Sequence, residues 1–203
     1  MVHGKPVIVH GDGQSLWVLT HADDFAAAFV RLLGRDETLG EAYHLTSDEA
    51  NTWDRIFAAI ADALGVEAKI IHVPSDTLAR YDPDARGKLL GDKACSVIFD
   101  NTKVRQAVGD WRAEVEMRDG MKRVAPYVRE RMAVRMPDPR VDALVDRIIA
   151  EQEALGSKVC AEIELLRVEL PWGTAAIVGQ ERPNSHSAGL PHDRSIPTPR
   201  RAR

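Results

Sequence analysis

Histidines are the residues whose positions most suggest chemistry. Of the seven in the chain, four lie at or near the ends of strand-like segments: His10, His21, His44 and His72. A histidine at the end of a strand can face a pocket and exchange a proton near neutral pH. More often, such a histidine is a partly buried residue whose ring nitrogens are hydrogen bonded. Neither His-x-x-x-His nor Cys-x-x-Cys occurs in the sequence, so no metal site is predicted.

The glycines of Gly11-Asp12-Gly13 are a second candidate, because phosphate-binding loops are rich in glycine. Such a loop needs its glycines between a strand and the amino terminus of a helix. Here a β-branched run, 7–10, precedes the motif and a second strand-like run, 16–20, follows it. We therefore predict a hairpin turn rather than a phosphate cradle. The glycine patterns of dinucleotide-binding and P-loop proteins are absent from the chain.

Paired carboxylates occur at Asp23-Asp24 and Asp48-Glu49. Both pairs precede helix-like segments, where capping and the helix dipole favour acidic side chains without any catalytic role. The chain also lacks the Gly-x-Ser-x-Gly pattern of a serine nucleophile. The sequence consequently predicts no catalytic residue.

Composition narrows the class of protein. The 203 residues carry a net charge of -4, with acids and bases interspersed, and 44% are hydrophobic. This balance indicates a globular chain and argues against a membrane or nucleic-acid surface. The cysteines, Cys95 and Cys160, are far apart in the sequence and predict no disulfide. We therefore expect a reducing compartment, with the cytoplasm as the default location.

The elements that must position these residues alternate between strands and helices up to about residue 136. Strands are predicted at 7–10, 16–20, 42–45, 68–73 and 96–99. Helices are predicted at 23–33, 53–64, 75–81, 101–108 and 120–132, with an irregular segment at 82–92. This pattern predicts an α/β chain of mixed α+β character over 1–136. Apolar residues then recur at helical spacing over 137–170, which predicts an amphipathic helical extension with a possible interruption at Gly156. Residues 171–203 are rich in proline and polar residues and predict a disordered tail.

Four segments resemble the extended short-chain dehydrogenase/reductase family, in particular the NAD-dependent epimerases and dehydratases. They are VIVHGDGQSLWVLTHADDFA at 7–26, GEAYHLT at 40–46, DNTKVR at 100–105 and VGDW at 108–111. The order of the segments matches the carboxy-terminal, substrate-binding part of that family. The resemblance therefore implies the carboxy-terminal portion of the extended fold.

The amino-terminal Rossmann half of the family is what this sequence lacks. That half contains a Gly-x-x-Gly-x-x-Gly loop for NAD and a catalytic Tyr-x-x-x-Lys pair. The tyrosines here are Tyr43, Tyr81 and Tyr127, and none has a lysine four residues on. The resemblance thus implies NAD(P) for the full-length family but no cofactor bound by this chain alone. We expect a gene fragment, a wrongly assigned start codon or a disturbed reading frame.

His10 and Trp17 are the candidate substrate contacts that the resemblance implies. In many relatives that act on nucleotide sugars, an arginine four residues after the Gly-Asp-Gly motif contacts the diphosphate; that position is Trp17 here. An indole cannot replace the bidentate contact, although it can stack on a ring or fill an apolar core. His10 takes the place of an aromatic residue that lines the pocket in some relatives. The expected partner is a small molecule, sugar-like or nucleotide-sugar-like, with the diphosphate contact in question.

Two functions fit these observations. The chain could be a partial enzyme that supplies the substrate-binding walls and works only with a separately encoded Rossmann half, or once did so in a longer parent. A Rossmann half or a second copy of the chain, through self-association, is the expected protein partner. Alternatively, it could be a non-enzymatic binding or interaction module derived from the same family. The reading frame upstream of Met1 distinguishes them, because a glycine-rich loop and a Tyr-x-x-x-Lys pair encoded there would favour the enzyme.

Overall fold

The computed structural model describes residues 1–134 and 138–166. The chain divides into two compact units, Met1–Leu155 and Gly156–Arg203. The predicted tail at 171–203 lies outside the described residues.

Short strands and longer helices alternate along the described chain. The strands are β1 (Val7–His10), β2 (Leu16–Val18), β3 (Ala50–Thr52) and β4 (Ile70–Val73). The helices are α1 (Ala22–Leu32), α2 (Trp53–Leu64), α3 (Ser75–Tyr81), α4 (Arg86–Lys88), α5 (Thr102–Val108), α6 (Met117–Val134) and α7 (Pro139–Leu166). The mixture confirms the predicted α/β class.

Two separate two-stranded sheets hold the strands. β1 pairs in parallel with β4, so that His10 lies opposite Val73. β2 pairs antiparallel with β3, so that Trp17 lies opposite Asn51. The predicted hairpin between the first two strands is therefore wrong. Each strand instead finds a partner that is distant in the sequence, and pairing at such separation leaves no signal in the local pattern.

The glycine motif still forms a turn, but one that carries the chain from the first sheet to the second. Gly11 and Gly13 have φ of 63° and 73°, in the left-handed region that favours glycine. Space also restricts Gly13, because a Cβ there would lie 2.1 Å from Oδ1 of Asp54. The backbone N–H of Asp54 donates to the carbonyl of Gly13 at 3.1 Å. This hydrogen bond attaches the glycine turn to the amino-terminal end of α2.

Local capping explains why the early helices match their predictions. The ring of His21 accepts a hydrogen bond from the backbone N–H of Asp23 at 3.2 Å and caps α1. Thr52 caps α2 through the N–H of Arg55, and Gly65 ends that helix with φ of 61°. Because these signals lie within a few residues of each helix end, the sequence alone predicts the bounds.

Segments 42–45 and 96–99 were predicted as strands and form none. A strand requires a neighbour, and the bond from the N–H of Val97 to the carbonyl of Leu16, at 3.0 Å, does not extend into a ladder. Tyr43 and Leu45 instead pack against a core cluster that contains Val104 and Trp111. The predicted irregular segment 82–92 is also wrong, since it folds into the short helical turns Pro83–Ala85, Arg86–Lys88 and Leu89–Lys93.

Helix α6 begins earlier than predicted because distant carboxylates cap it. The backbone N–H of Met117 donates to Glu49 at 2.8 Å. Just before the helix, the carboxylate of Asp24 accepts the N–H groups of Glu114 and Val115, both at 3.0 Å. Asp24 and Glu49 therefore hold a segment far along the chain, whereas the sequence predicted that they cap their own helices.

A buried amide joins two of the motif segments. Asn101, 2% exposed, accepts hydrogen bonds from the N–H and hydroxyl of Thr46 and donates to its carbonyl at 2.8 Å. Next to it, Arg105 forms an ion pair with Asp48. The segments 40–46 and 100–105 are thus held together by the hydrogen bonds between Thr46 and Asn101.

Helix α7 is continuous through Gly156, so the predicted interruption is wrong. Ile148 and Ile149 are buried, Tyr81 donates to Glu151, and Lys5 pairs with Asp146 at 2.7 Å. None of the helices described is long and apolar enough to span a bilayer.

Candidate functional site

The candidate site lies where β1 ends and α2 begins. His10, the last residue of β1, packs its ring edge against Trp53, the first residue of α2, with 5.0 Å between the ring centroids. Trp17, on β2, lies 5.5 Å from the same indole. Lys93 places its ammonium 4.6 Å from the Trp17 ring and 5.6 Å from the Trp53 ring. The structure therefore brings the predicted residues His10 and Trp17 together through Trp53.

His10 is buried, with 8% of its surface exposed, and neither ring nitrogen has a hydrogen-bond partner. Burial lowers its pKa below the ordinary value of 6.5, and the nearby charge of Lys93 lowers the pKa further. The imidazole is accordingly neutral at neutral pH, with one nitrogen able to donate and the other able to accept.

Three other residues of the neighbouring elements also have buried polar atoms without partners. The described residues leave both side-chain polar atoms of Asn51, the indole N–H of Trp53 and the hydroxyl of Ser75 buried without partners. Asn51 is paired with Trp17 across the β2–β3 ladder, and Ser75 Oγ lies 3.7 Å from where a Cβ of Gly11 would be. Buried polar groups in native proteins nearly always have a partner, so each of these atoms is a candidate contact for a ligand or an ordered water.

Sequence reasoning missed Asn51, Trp53 and Ser75. In the sequence, Trp53 and Ser75 are only the first residues of the predicted helices 53–64 and 75–81. Asn51 lies in a short strand and is 1% exposed. The burial of this polar side chain is seen only in the structure.

The sequence left open whether Trp17 contacts a ligand or fills the apolar core, and its position suits both roles. One part of its ring packs against the cluster of Ile56, Ala59 and Met117, and it is only partly buried. Lys93 covers its face. The residue is therefore core on one side and a wall of the candidate site on the other.

A polar network lies beside these rings. Asp54 accepts a hydrogen bond from Gln14 at 3.0 Å, and its other carboxylate oxygen lies 2.8 Å from Nε2 of His72. This network fastens α2 to the glycine turn and to β4. Of the remaining candidate histidines, His21 caps a helix and His44 packs against Phe99 at 4.9 Å, so both have structural roles.

A cleft of about 530 Å³ opens elsewhere, between the start of α1, the loop at 110–115 and α6. It contains neither His10 nor Trp17, and charged side chains of both signs line it, including Asp110, Arg112 and Arg123. Within the described ranges, 1–134 and 138–166, no cluster of histidine, cysteine and acidic residues could hold a metal ion.

Comparison with known proteins gives the context of this geometry. No protein-family model matches the chain. The curated 2'-dehydrokanamycin reductase of Streptomyces kanamyceticus is 34% identical over 82 residues, which are 40% of this chain and 23% of that protein. Among solved structures, UDP-glucose 4-epimerase from Thermotoga maritima has a TM-score of 0.50 at 19% identity, covering 64% of this chain and 37% of that chain. UDP-glucuronic acid 4-epimerase from Bacillus cereus, in complex with UDP-glucuronic acid and NAD, has a TM-score of 0.50 at 18% identity with the same coverage.

The chain has the fold of part of an extended short-chain dehydrogenase/reductase. The resemblance to the NAD-dependent epimerase/dehydratase type is thereby confirmed at the level of the fold. This chain spans about a quarter of the length of the curated relative and 37% of the length of the two solved epimerases.

The Gly11–Gly13 turn does not fit a pyrophosphate. It joins β1 to β2 instead of leading from a strand directly into a helix. The carboxylate of Asp54 fills the space above Gly13, where an anionic phosphate would have to approach.

Proposed function

We propose that this chain is the substrate-binding part of a protein of the NAD-dependent epimerase/dehydratase type and performs no hydride transfer on its own. One observation carries the proposal: His10, Asn51, Trp53 and Ser75 have buried polar atoms without partners, and Trp53 packs against both His10 and Trp17. In a purely structural core, each unpaired buried polar group lowers the stability of the fold, whereas in a binding site the ligand supplies the missing hydrogen bonds. The substrate is a small, sugar-like molecule, with His10 and Trp17 among its contacts.

Tryptophan fluorescence provides the direct test, because the indoles of Trp17 and Trp53 lie in the site. Sugars and nucleotide sugars are titrated into the full chain, and a saturable change in emission is expected. Trp53→Phe should abolish most of that change. Trp111→Phe is the matched control, since this indole also has a buried, unpaired N–H but lies in the other core cluster. No saturable response to any such ligand would refute the proposal.

An apolar face on α1 supports a further protein partner. Phe25 and Phe29 stack with their ring centroids 5.8 Å apart while 47% and 45% exposed. Val30, Leu33 and Leu39 are also exposed nearby. Large apolar surface of this kind favours association. We infer that a Rossmann half encoded separately, or a second copy of the chain, covers this face.

A non-enzymatic binding module is the second candidate function. The absence of space for a pyrophosphate above Gly13, within the described part of the chain, favours it. Mixing the purified chain with the Rossmann half of a full-length relative separates the two functions. Restored, NAD-dependent conversion of the substrate, measured as product formed, supports the partial enzyme, and tight substrate binding without such turnover supports the module.

The proposed location is the cytoplasm. Both cysteines are free thiols, and Cys95 is exposed, which suits a reducing compartment.

A further inference from the structure

Helix α1 has an apolar stripe on its solvent-facing side. The helix buries the opposite face, which is formed by Asp24, Ala28 and Leu32. The stripe consists of Ala22, Ala26, Phe29 and Leu33, at the spacing of four, three and four residues that is typical of a contact between two helices. Phe29 and Leu33 are 45% and 58% exposed. The outer side of α1 therefore has the pattern of a surface that packs against another helix.

The order of side-chain sizes along the stripe favours an antiparallel copy of the same helix. Ala22 and Ala26 lie towards its amino-terminal end, and Phe29 and Val30 lie towards its carboxy-terminal end. In a parallel pair of copies, the alanines face each other across a gap and the large side chains collide. In an antiparallel pair centred on Ala27, Phe29 and Val30 of one copy enter the space beside the two alanines of the other. Such filling of space by complementary sizes is what close packing requires.

The charges along one flank of the stripe match the same arrangement. Asp23, Ala27 and Arg31 are spaced four residues apart and form a row that lines the cleft of about 530 Å³, so this row is open to another chain. In the antiparallel pair, Asp23 of each copy lies level with Arg31 of the other. The Asp23 side chain is 78% exposed, and its contacts with His21 and Arg123 are 3.5 Å and 3.9 Å long. The carboxylate is therefore able to form a closer ion pair with a second copy.

The other flank of the stripe adds aromatic contacts. Phe25 and Phe29 stack with 5.8 Å between the ring centroids and an interplanar angle of 14°. In the antiparallel pair, Phe25 of each copy lies level with Phe29 of the other, so both stacked pairs meet at the interface. Because a helix of this length is only about 17 Å long, the contact area is small and the association is weak.

We propose that two copies of this chain associate through α1 in an antiparallel, two-fold arrangement, in which Asp23 of each copy pairs with Arg31 of the other. The proposal rests on the proposed covering of α1 by a protein partner and selects the second copy as that partner. Both copies use the same surface, so the association stops at a dimer. The small contact area predicts a dissociation constant in the micromolar range.

Sedimentation velocity of the full chain over a wide range of concentrations tests the association. The original chain should change from monomer to dimer as its concentration rises. Arg31→Glu makes the charged row of α1 entirely negative, and Asp23→Lys makes it entirely positive. Each variant alone should therefore dimerise about tenfold more weakly or worse. Arg118→Glu is the matched control, since this side chain is 61% exposed on α6 and should not change the dimer.

Mixing the two charge variants gives the decisive result. In an equimolar mixture, the negative row of one variant faces the positive row of the other, so a dimer of one copy of each should form. Its formation supports the antiparallel contact between two copies. If the mixture stays monomeric, or if neither variant weakens the dimer by itself, the arrangement is wrong.

Further outcomes separate the proposal from the proposed function. A chain that remains monomeric but binds the Rossmann half of a full-length relative through α1 would overturn the second copy as partner and leave the covering of α1 in place. A chain that binds neither would overturn the covering as well. Titration of sugars into the monomeric variants tests the substrate-binding function separately, because His10, Trp17 and Trp53 lie outside α1.

Discussion

Replacing Gly13 by alanine should destabilise the protein for two separable reasons. Its φ of 73° lies in the left-handed region, where a residue with a Cβ costs about 1–2 kcal/mol. The new Cβ would also lie 2.1 Å from Oδ1 of Asp54. The carboxylate must then turn away from His72 and Gln14, and each lost hydrogen bond costs about 0.5–1.5 kcal/mol. We expect a total loss of about 2–5 kcal/mol.

Gly34→Ala is the matched control. Gly34 has the same φ of 73°, but no heavy atom lies within 4 Å of the added Cβ. It should therefore show only the conformational cost, about 1–2 kcal/mol. Urea unfolding of both variants gives the difference, and thermal unfolding should shift by about 2–4 °C per kcal/mol for a chain of this size.

The contribution of Asp54 can be isolated by a double-mutant cycle. In an Asp54→Ala background the clash is absent, so Gly13→Ala should cost only as much as Gly34→Ala. Equal costs of Gly13→Ala with and without the carboxylate would refute the reasoning, as would a Gly13→Ala variant no less stable than the Gly34→Ala variant.

The remaining predictions concern the cofactor, pH and association. Calorimetric titration with NAD and NADH should show no binding, and a micromolar dissociation constant would contradict the proposed division of the enzyme. Because the pKa of His10 is lowered in the folded state, the unfolded chain binds its proton first as the pH falls. The contribution of neutral His10 to stability is therefore present above about pH 6.5 and declines below it. His10→Gln should reduce that decline. An unchanged dependence of stability on pH in this variant would exclude His10 as the cause. Phe25→Ser with Phe29→Ser should reduce dye binding and light scattering, whereas Val141→Ser, also at an exposed site, should not; a monodisperse, dye-silent original chain would show that nothing needs to cover α1.

The helices show how far local information reaches. The bounds of α2 and α3 follow from the sequence because their apolar periodicity and end signals, such as Thr52 and Gly65, lie within or next to each helix. The start of α6 could not be predicted in the same way. Its cap is Glu49, which no local pattern links to Met117.

Strand pairing shows where local information ends. The run at 7–10 has the composition of a strand, but it does not pair with β2, the next strand along the chain. β1 pairs with β4, and the segment at 42–45 forms no strand because no ladder is completed beside it. Backbone hydrogen bonds between strands depend on which segments meet in space, and that is decided by the packing of the whole chain.

The candidate site combines both kinds of information. The sequence by itself determined the family resemblance, the missing glycine loop and Tyr-x-x-x-Lys pair, and the candidates His10 and Trp17, because these depend on residue identity and order. Tertiary structure alone decided that Trp53 joins them and that Asn51 and Ser75 are buried without partners. The physical reason is that burial and hydrogen bonding are properties of the surroundings, and those surroundings come from strands and helices far apart in the chain.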